Sequence, residues 1–245
     1  MNQLPSCTEL SWDSTFFGCK IAQVHAVLRT NEEVRSIIDW CQHREVECLY
    51  YRCPVAALDS LREVPKHGFQ ICDIRMTYHH DLRSRLDNGQ KPCLMRPAVE
   101  GDLHALKALA KCSHHNTRFF KDGNFSHSLC EHFYEVWIEQ CFHSPQGYVW
   151  IAEESGVLNG YVACSVDSDF KGHIDLIAVD SKVRCRGIGN QLILRALHYF
   201  GTKNAAYAAV VTQADNLAAQ RLYQRNGFVL ASVELWFHKW FDVQK

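Results

Sequence analysis

The chain has 245 residues, with 26 basic and 27 acidic side chains and a formal net charge of −1. That length suits one large domain or two small ones, each able to bury a core, and the balanced charge speaks against a nucleic-acid or membrane-surface partner. No run is long enough to cross a bilayer, and the opening MNQLPSCTELSWD lacks the basic-then-apolar profile of a signal peptide. A soluble cytoplasmic protein is therefore expected.

In chain order, the first half reads as strand CKIAQVHAVL, helix EEVRSIIDWCQHRE, strand CLYYRCPV, helix AALDSLREVPKHG and strand FQICDIRMTYHH. A polar stretch with turn residues, DLRSRLDNGQKP, follows and places a domain boundary at 90/91. Two domains are expected, 1–90 and 91–245.

The second half opens with a short strand, CLMRPA, and a helix, VEGDLHALKALAKC. The stretch SHHNTRFFKDGNFSHS is too long for a simple connector and too aromatic for a solvated one. Helix LCEHFYEVWIEQCF leads to three strands, YVWIAEE, LNGYVACSV and HIDLIAV, and then to the loop RCRGIG. Helix NQLILRALHYFG, strand AAYAAVVT, helix NLAAQRLYQRNG and strand FVLASVELWFHKW complete the chain. The segments KHGFQICDIRMTYHH and RNGFVLASVELWFHK align on Gly68-Phe69 and Gly227-Phe228. Each follows a strand and a helix, as in a degenerate β-α-β repeat, although helix-Gly-Phe-strand is also a common way to end a helix.

Twelve cysteines contain no C-x-x-C pair, so zinc and redox spacings are absent and no metal is expected. The pairs His79-His80 and His114-His115 are adjacent in sequence and do not form a two-ligand helix face.

The loop carries the chemistry. It fits neither a P-loop, which needs a Lys after its second glycine, nor a dinucleotide fingerprint, whose third glycine is here Leu192. What remains is Arg184-x-x-Gly187-x-Gly189 at a strand-to-helix junction. A helix start presents unpaired N–H groups and a dipole that favours anions, and glycines let backbone approach a diphosphate. Arg184 and Arg186 add charge, and no lysine is placed to activate a γ-phosphate. The pattern binds a diphosphate as a handle.

LIAVDSKVRCRGIGNQLI resembles the acyl-CoA motif of the GNAT superfamily of N-acyltransferases. QADNLAAQRLYQRNGF resembles that superfamily's N-x-x-A-x-x-L-Y-x-x-x-G-F signature. The resemblance covers about residues 93–245. It implies an α/β (α+β) GNAT fold, a mixed central sheet flanked by helices, with a smaller GNAT-like α/β domain ahead of it. It also implies that Ile177, Ala178 and Val179 line the pantetheine arm of acetyl-CoA or another short acyl-CoA. The amides of Cys185, Arg186, Gly187, Ile188, Gly189 and Asn190 would hold the pyrophosphate, Asn216 would contact CoA, and Tyr223 would protonate the departing thiolate. Asn216 and Tyr223 are seven residues apart, two helical turns, and a phenol is neutral at physiological pH.

LSWDSTFFGCK, NTRFFKDGNFS and FYEVWIEQ are similar to the TDP-fucosamine acetyltransferase branch, with Thr117 where that branch carries serine. The resemblance implies a dTDP-linked amino-dideoxyhexose as acceptor. Arg118 would bind its phosphates, Phe119 or Phe17 would contact its flat or apolar parts, and His114 or His115 would accept the amine proton. The alternative is a GNAT enzyme acting on a peptide or small amine. Homo-oligomerisation stays open.

Overall fold

The computed structural model describes residues 7–83 and 95–242. The chain divides into two compact units. One comprises Met1–Arg75, Thr117–Ser126 and Ser232–Lys245, and the other comprises Met76–Asn116 and His127–Ala231. The boundary expected at 90/91 lies outside the described residues, and the division is not sequential. Within the segment 117–126 and the last strand, Phe119, Asp122, Phe125, Phe237 and His238 are buried.

The first unit contains strands β1 (Cys7–Glu9), β2 (Ile21–Val24) and β3 (Cys48–Pro54), and helices α1 (Ser11–Phe17), α2 (Asn31–His43) and α3 (Leu58–Glu63). Two long strands, β4 (Gln70–Asp81) and β10 (Val229–Trp240), each have residues in both units. β2 and β3 are parallel, Ile21 opposite Cys48, joined by α2 as a β-α-β crossover. The second part of β10 runs antiparallel to β3, from Glu234 opposite Pro54 to Trp240 opposite Cys48. Val34, Ile37 and Cys41 of α2 meet Ala22, Leu49, Tyr51 and Phe237 in the core. Helix α2 closes its own N-terminus: Glu33 N–H donates to Thr30 Oγ1 at 3.2 Å, and the Glu33 carboxylate accepts from Thr30 N–H at 3.0 Å. Helix α1 was not anticipated from sequence. It is seven residues long and stops at Gly18, whose φ is 68°.

The second unit holds β5 (Met95–Pro97), β6 (Gly147–Glu154), β7 (Val157–Val166) and β8 (Lys171–Val179) as antiparallel neighbours, with β9 (Tyr207–Gln213) parallel to β8. Helix α7 (Ile188–Thr202) covers one face of this sheet, its Leu192, Ile193, Ala196 and Phe200 meeting Val162, Cys164 and Ile174. Helices α4 (Leu103–Ser113) and α6 (His127–His143) pack against β7. Helix α8 (Leu217–Arg225) joins β9 to β10. The mixed sheet flanked by helices is the fold class expected. No helix of the described residues is long and apolar enough to cross a membrane.

The two proposed repeat halves share detail. Gly68 and Gly227 have φ of 78° and 79°, and the following Phe69 and Phe228 are both buried. Ala57 precedes α3 at φ −84°, ψ 67°, and its counterpart Asn216 precedes α8 at φ −83°, ψ 66°.

A Cβ on Gly172 of β8 would lie 2.6 Å from ring carbons of Phe200. Gly172→Ala is expected to lower stability by about 1–3 kcal/mol through overpacking, read as a drop in the urea midpoint. An unchanged midpoint would show that Phe200 yields freely.

Candidate active site

In the second unit, β8 and β9 pair only from Lys171/Tyr207 to Ile174/Val210. The pairing of β8 with β7 continues to Gly160/Val179. On its β9 side the backbone of Ile177, Ala178 and Val179 therefore has no strand partner. The cause sits one residue past the last pair. Between Cys164/Ile174 and Ala163/Leu176 the register skips Asp175, a bulge that bends the strand. Sequence reading did not single out Asp175, since a bulge leaves no local signature in an otherwise regular strand.

Beyond Val179 the chain turns at Ser181–Val183, capped by the Asp180 side chain, which accepts from Lys182 N–H at 2.9 Å. Arg184 Nε donates to the Val179 carbonyl at 3.3 Å, tying the loop to the strand end, and Arg186 is exposed. Cys185 has φ 64° and Gly187 φ 82°, two left-handed residues within three. Gly187 is the N-cap of α7, and no side chain caps that helix. The first bonded amide is Gln191 N–H, on the Gly187 carbonyl at 3.1 Å. The N–H groups of Gly187, Ile188, Gly189 and Asn190 have no backbone acceptor among the described residues. The two glycines differ in purpose. Gly187 supplies the left-handed turn, with nothing near its missing Cβ, whereas a Cβ on Gly189 would come within 3.2 Å of Leu222 of α8. Gly189 thus serves helix packing, a role the sequence reading had not separated from approach to the diphosphate.

Asn216 stands just outside α8, and its Oδ1 accepts from Ala219 N–H at 3.3 Å. The amide oxygen is spent on the helix cap, leaving the amide nitrogen for other partners. Tyr223 is buried, its ring 6.1 Å from Tyr78 and 5.9 Å from Phe228. Burial pushes its phenol pKa up, so the group is a neutral proton donor. It belongs to the cluster beneath α7, against which Ile177 and Val179 also pack.

His114 follows α4 and stacks on Tyr134 at 4.8 Å, and its Nε2 lies 2.8 Å from the Tyr161 hydroxyl. Tyr161 sits opposite Ala178 across the β7–β8 ladder. Its neighbour Val162 faces α7, so by strand alternation Tyr161 and His114 occupy the other face of the sheet from Tyr223. Burial lowers the His114 pKa to about 4, so the ring is neutral at physiological pH. His115 is exposed, and its Nε2 donates to the Lys111 carbonyl of its own helix at 3.0 Å. Of the two histidines, only His114 is brought to β7 and β8.

The remaining candidates, Phe17, Arg118 and Phe119, lie in the first unit. Phe17 and Phe119 are buried and stacked at 5.2 Å, with Phe125 4.5 Å from Phe17. Both rings are thus packed within a buried aromatic group, where the sequence reading has Phe119 meet the base and Phe17 border the sugar. The stacked pair Trp12 and Phe16 on α1, 5.2 Å apart and with Trp12 exposed, is the accessible aromatic surface nearby in sequence. Arg118 opens a single helical turn, α5 (Arg118–Lys121). Its guanidinium lies 4.1 Å from the Tyr50 ring centroid, 4.2 Å from Phe119 and 4.3 Å from Trp236. Arg118 Nη1 donates to His238 Nε2 at 2.9 Å. Its charge also acts on the half-buried Asp13, whose carboxyl pKa burial raises and Arg118 pulls back down.

His238 Nδ1 donates to Asp122 Oδ2 at 2.5 Å, and Trp240 Nε1 donates to the same oxygen at 2.9 Å. Asn124 contributes its backbone N–H at 3.1 Å and its side-chain amide at 2.9 Å to Asp122 Oδ1. Burial works against the Asp122 charge, yet the bonds from His238, Trp240 and Asn124 hold its pKa down to about 2. Burial and Arg118 lower His238 to about 4 against the pull of Asp122. Cys72, Asp122 and His238 offer ligand atoms within 4.8 Å of one another. Both ring nitrogens of His238 are already bonded, so a metal there would have to displace Asp122 or Arg118.

Residues 110–228 match the profile of the acetyltransferase (GNAT) family. The chain is similar to the spore coat polysaccharide biosynthesis protein SpsD of Bacillus subtilis, 25% identical over 144 residues, 59% of this chain and 50% of that one. It is also similar to N-alpha-acetyltransferase 30 of Xenopus laevis, 29% identical over 102 residues, 40% of this chain and 34% of that one. The chain thus spans half or less of the length of these curated relatives. Among solved structures, a GCN5-related N-acetyltransferase from Sphaerobacter thermophilus superposes with a TM-score of 0.69 at 16% identity, covering 96% of this chain and 76% of that one. The sheet whose parallel strands part after Ile174, the glycine-capped helix that follows, and the superposition agree: the chain has the GNAT fold, and its residues 110–228 are similar to the acetyltransferase (GNAT) family.

Proposed function

We propose that the chain is an acyl-CoA-dependent N-acyltransferase that moves an acetyl group to the amine of a dTDP-linked amino-dideoxyhexose in polysaccharide precursor synthesis. The observation that carries the CoA half is the uncapped start of α7 beside the unpaired edge of β8. Free amides from Gly187 to Asn190, with Arg184 and Arg186, suit a pyrophosphate. Backbone groups of Ile177, Ala178 and Val179 suit the amide-bearing pantetheine arm. The counterpart helix α2 has a side-chain cap, Thr30 accepting from Glu33 N–H, and Ala57 and Val64 stand where Asn216 and Tyr223 do in the proposed repeat. One CoA per chain is the consequence.

In this reading the amine attacks the thioester carbonyl directly, forming the C–N bond as the C–S bond breaks. His114, held by Tyr161, takes the amine proton from one face of the sheet. Tyr223 gives its proton to the sulfur from the other. The acceptor half rests on Arg118, a half-buried guanidinium hydrogen-bonded to a neutral imidazole and therefore suited to an anion. The similarity to a polysaccharide biosynthesis protein points the same way.

Gly187→Val forces a β-branched residue to φ near 82° and should weaken CoA binding about tenfold or more. Calorimetry on the folded variant checks this. Wild type should titrate to one CoA per chain, and a stoichiometry of two would refute the repeat-based assignment. Tyr223→Phe should lower kcat by about a hundredfold, the low end for a general acid, with the KM for acetyl-CoA nearly unchanged. A kcat within about twofold of wild type would remove Tyr223 from the mechanism. Arg118→Ala should raise KM for the sugar nucleotide about tenfold to hundredfold and leave that for acetyl-CoA alone. A wild-type enzyme that ignores dTDP-amino sugars yet acetylates a peptide or polyamine would replace this acceptor with the alternative.

A further inference from the structure

His238 and Asp122 were not singled out by any sequence motif, and the acyl-transfer chemistry above does not use them. Both are almost fully buried, and they meet Arg118 in a row: Asp122 Oδ2 to His238 Nδ1 at 2.5 Å, His238 Nε2 to Arg118 Nη1 at 2.9 Å. The protons in this row are settled by what each group can do. A guanidinium only donates, so His238 Nε2 carries no proton. An ionised carboxylate only accepts, so Nδ1 carries one. His238 is therefore the neutral Nδ1–H tautomer, fixed from both sides.

We infer that His238, oriented by Asp122, is a positioning residue that holds the Arg118 guanidinium ready for the diphosphate of the acceptor through a neutral hydrogen bond instead of a carboxylate contact. This rests on the acceptor reading above. A carboxylate in direct contact with Arg118 would fix it equally well but would cancel the charge an anionic ligand must find. A neutral imidazole accepts one N–H and cancels nothing. The carboxylate stands one residue further away, and its own charge is taken up by His238, Trp240 and Asn124. The faces of the guanidinium are held by Tyr50, Phe119 and Trp236, which supply attraction without counter-charge.

The test uses dTDP as probe, bound to the full chain and measured by calorimetry, with the KM for acetyl-CoA and the melting temperature followed in parallel. Arg118→Ala sets the scale. His238→Phe should weaken dTDP binding about tenfold or more, within the Arg118→Ala loss, and leave the acetyl-CoA KM unchanged. His238→Gln, which can return an acceptor oxygen near the Nε2 position, should recover most of the affinity. His238→Glu should bind dTDP as poorly as His238→Phe even when it is as stable as wild type, because it pairs the charge. In the Arg118→Ala background, His238→Phe should cost nothing further. If His238→Phe does not fold, the Gln and Glu variants decide, since they differ in charge at nearly equal size.

An Arg118→Ala loss with no loss in His238→Phe would overturn the positioning role alone. No effect of Arg118→Ala, or no dTDP binding by wild type, would overturn the acceptor reading and this inference with it. A uniform fall in stability and in both substrates' constants would reduce His238 to a packing residue. Stoichiometric zinc in the purified chain, lost in His238→Phe, would also overturn the inference, because the metal would need a ring nitrogen now bonded to Asp122 or Arg118.

Discussion

Two parallel strands that pair for four residues and then part are the feature on which the second unit's chemistry depends. While β8 and β9 stay together, through Ile174 and Val210, their backbone groups satisfy one another. The extra residue at Asp175 bends β8, and from there its β9-side amides and carbonyls need another partner. A ligand with peptide-like groups along its length can supply one. The same strand then delivers the chain to the N-terminus of α7, where a second set of unpaired amides favours an anion. One register break thus leaves unpaired backbone groups on the edge of β8 close in sequence to the uncapped start of α7.

The first unit handles charge differently. Its buried polar cluster keeps Arg118 and Asp122 apart with a neutral imidazole between them. Such an arrangement is poor as a stability device, because a half-buried guanidinium carries a desolvation cost that direct pairing would offset. The aromatic rings around Arg118 reduce that cost without removing the charge.

The two long strands link the halves of the chain in a reciprocal way. β4 begins among first-unit residues and ends among second-unit residues, and β10 does the reverse. Each follows a left-handed glycine and a buried phenylalanine, and each ends one copy of the strand-helix-strand pattern.

What could be read from the residues alone was what is decided within a few positions. The Arg184-x-x-Gly187-x-Gly189 loop, the helices after it, the Asn216-to-Tyr223 spacing and the Gly-Phe junctions are each set by local backbone geometry and periodicity, and the structure has them where the sequence reading put them. Other features were settled only when distant segments met. The bulge at Asp175 depends on register against β7. The choice of His114 over His115 depends on which ring reaches Tyr161, 47 residues away. The burial of Phe17 and Phe119 follows from their stacking on each other across about a hundred residues of chain. The site around Arg118 draws on residues 50, 119, 122, 236 and 238. Whether a charge is paired, boxed or open is a property of everything within hydrogen-bonding reach, and only the folded chain determines what is within reach.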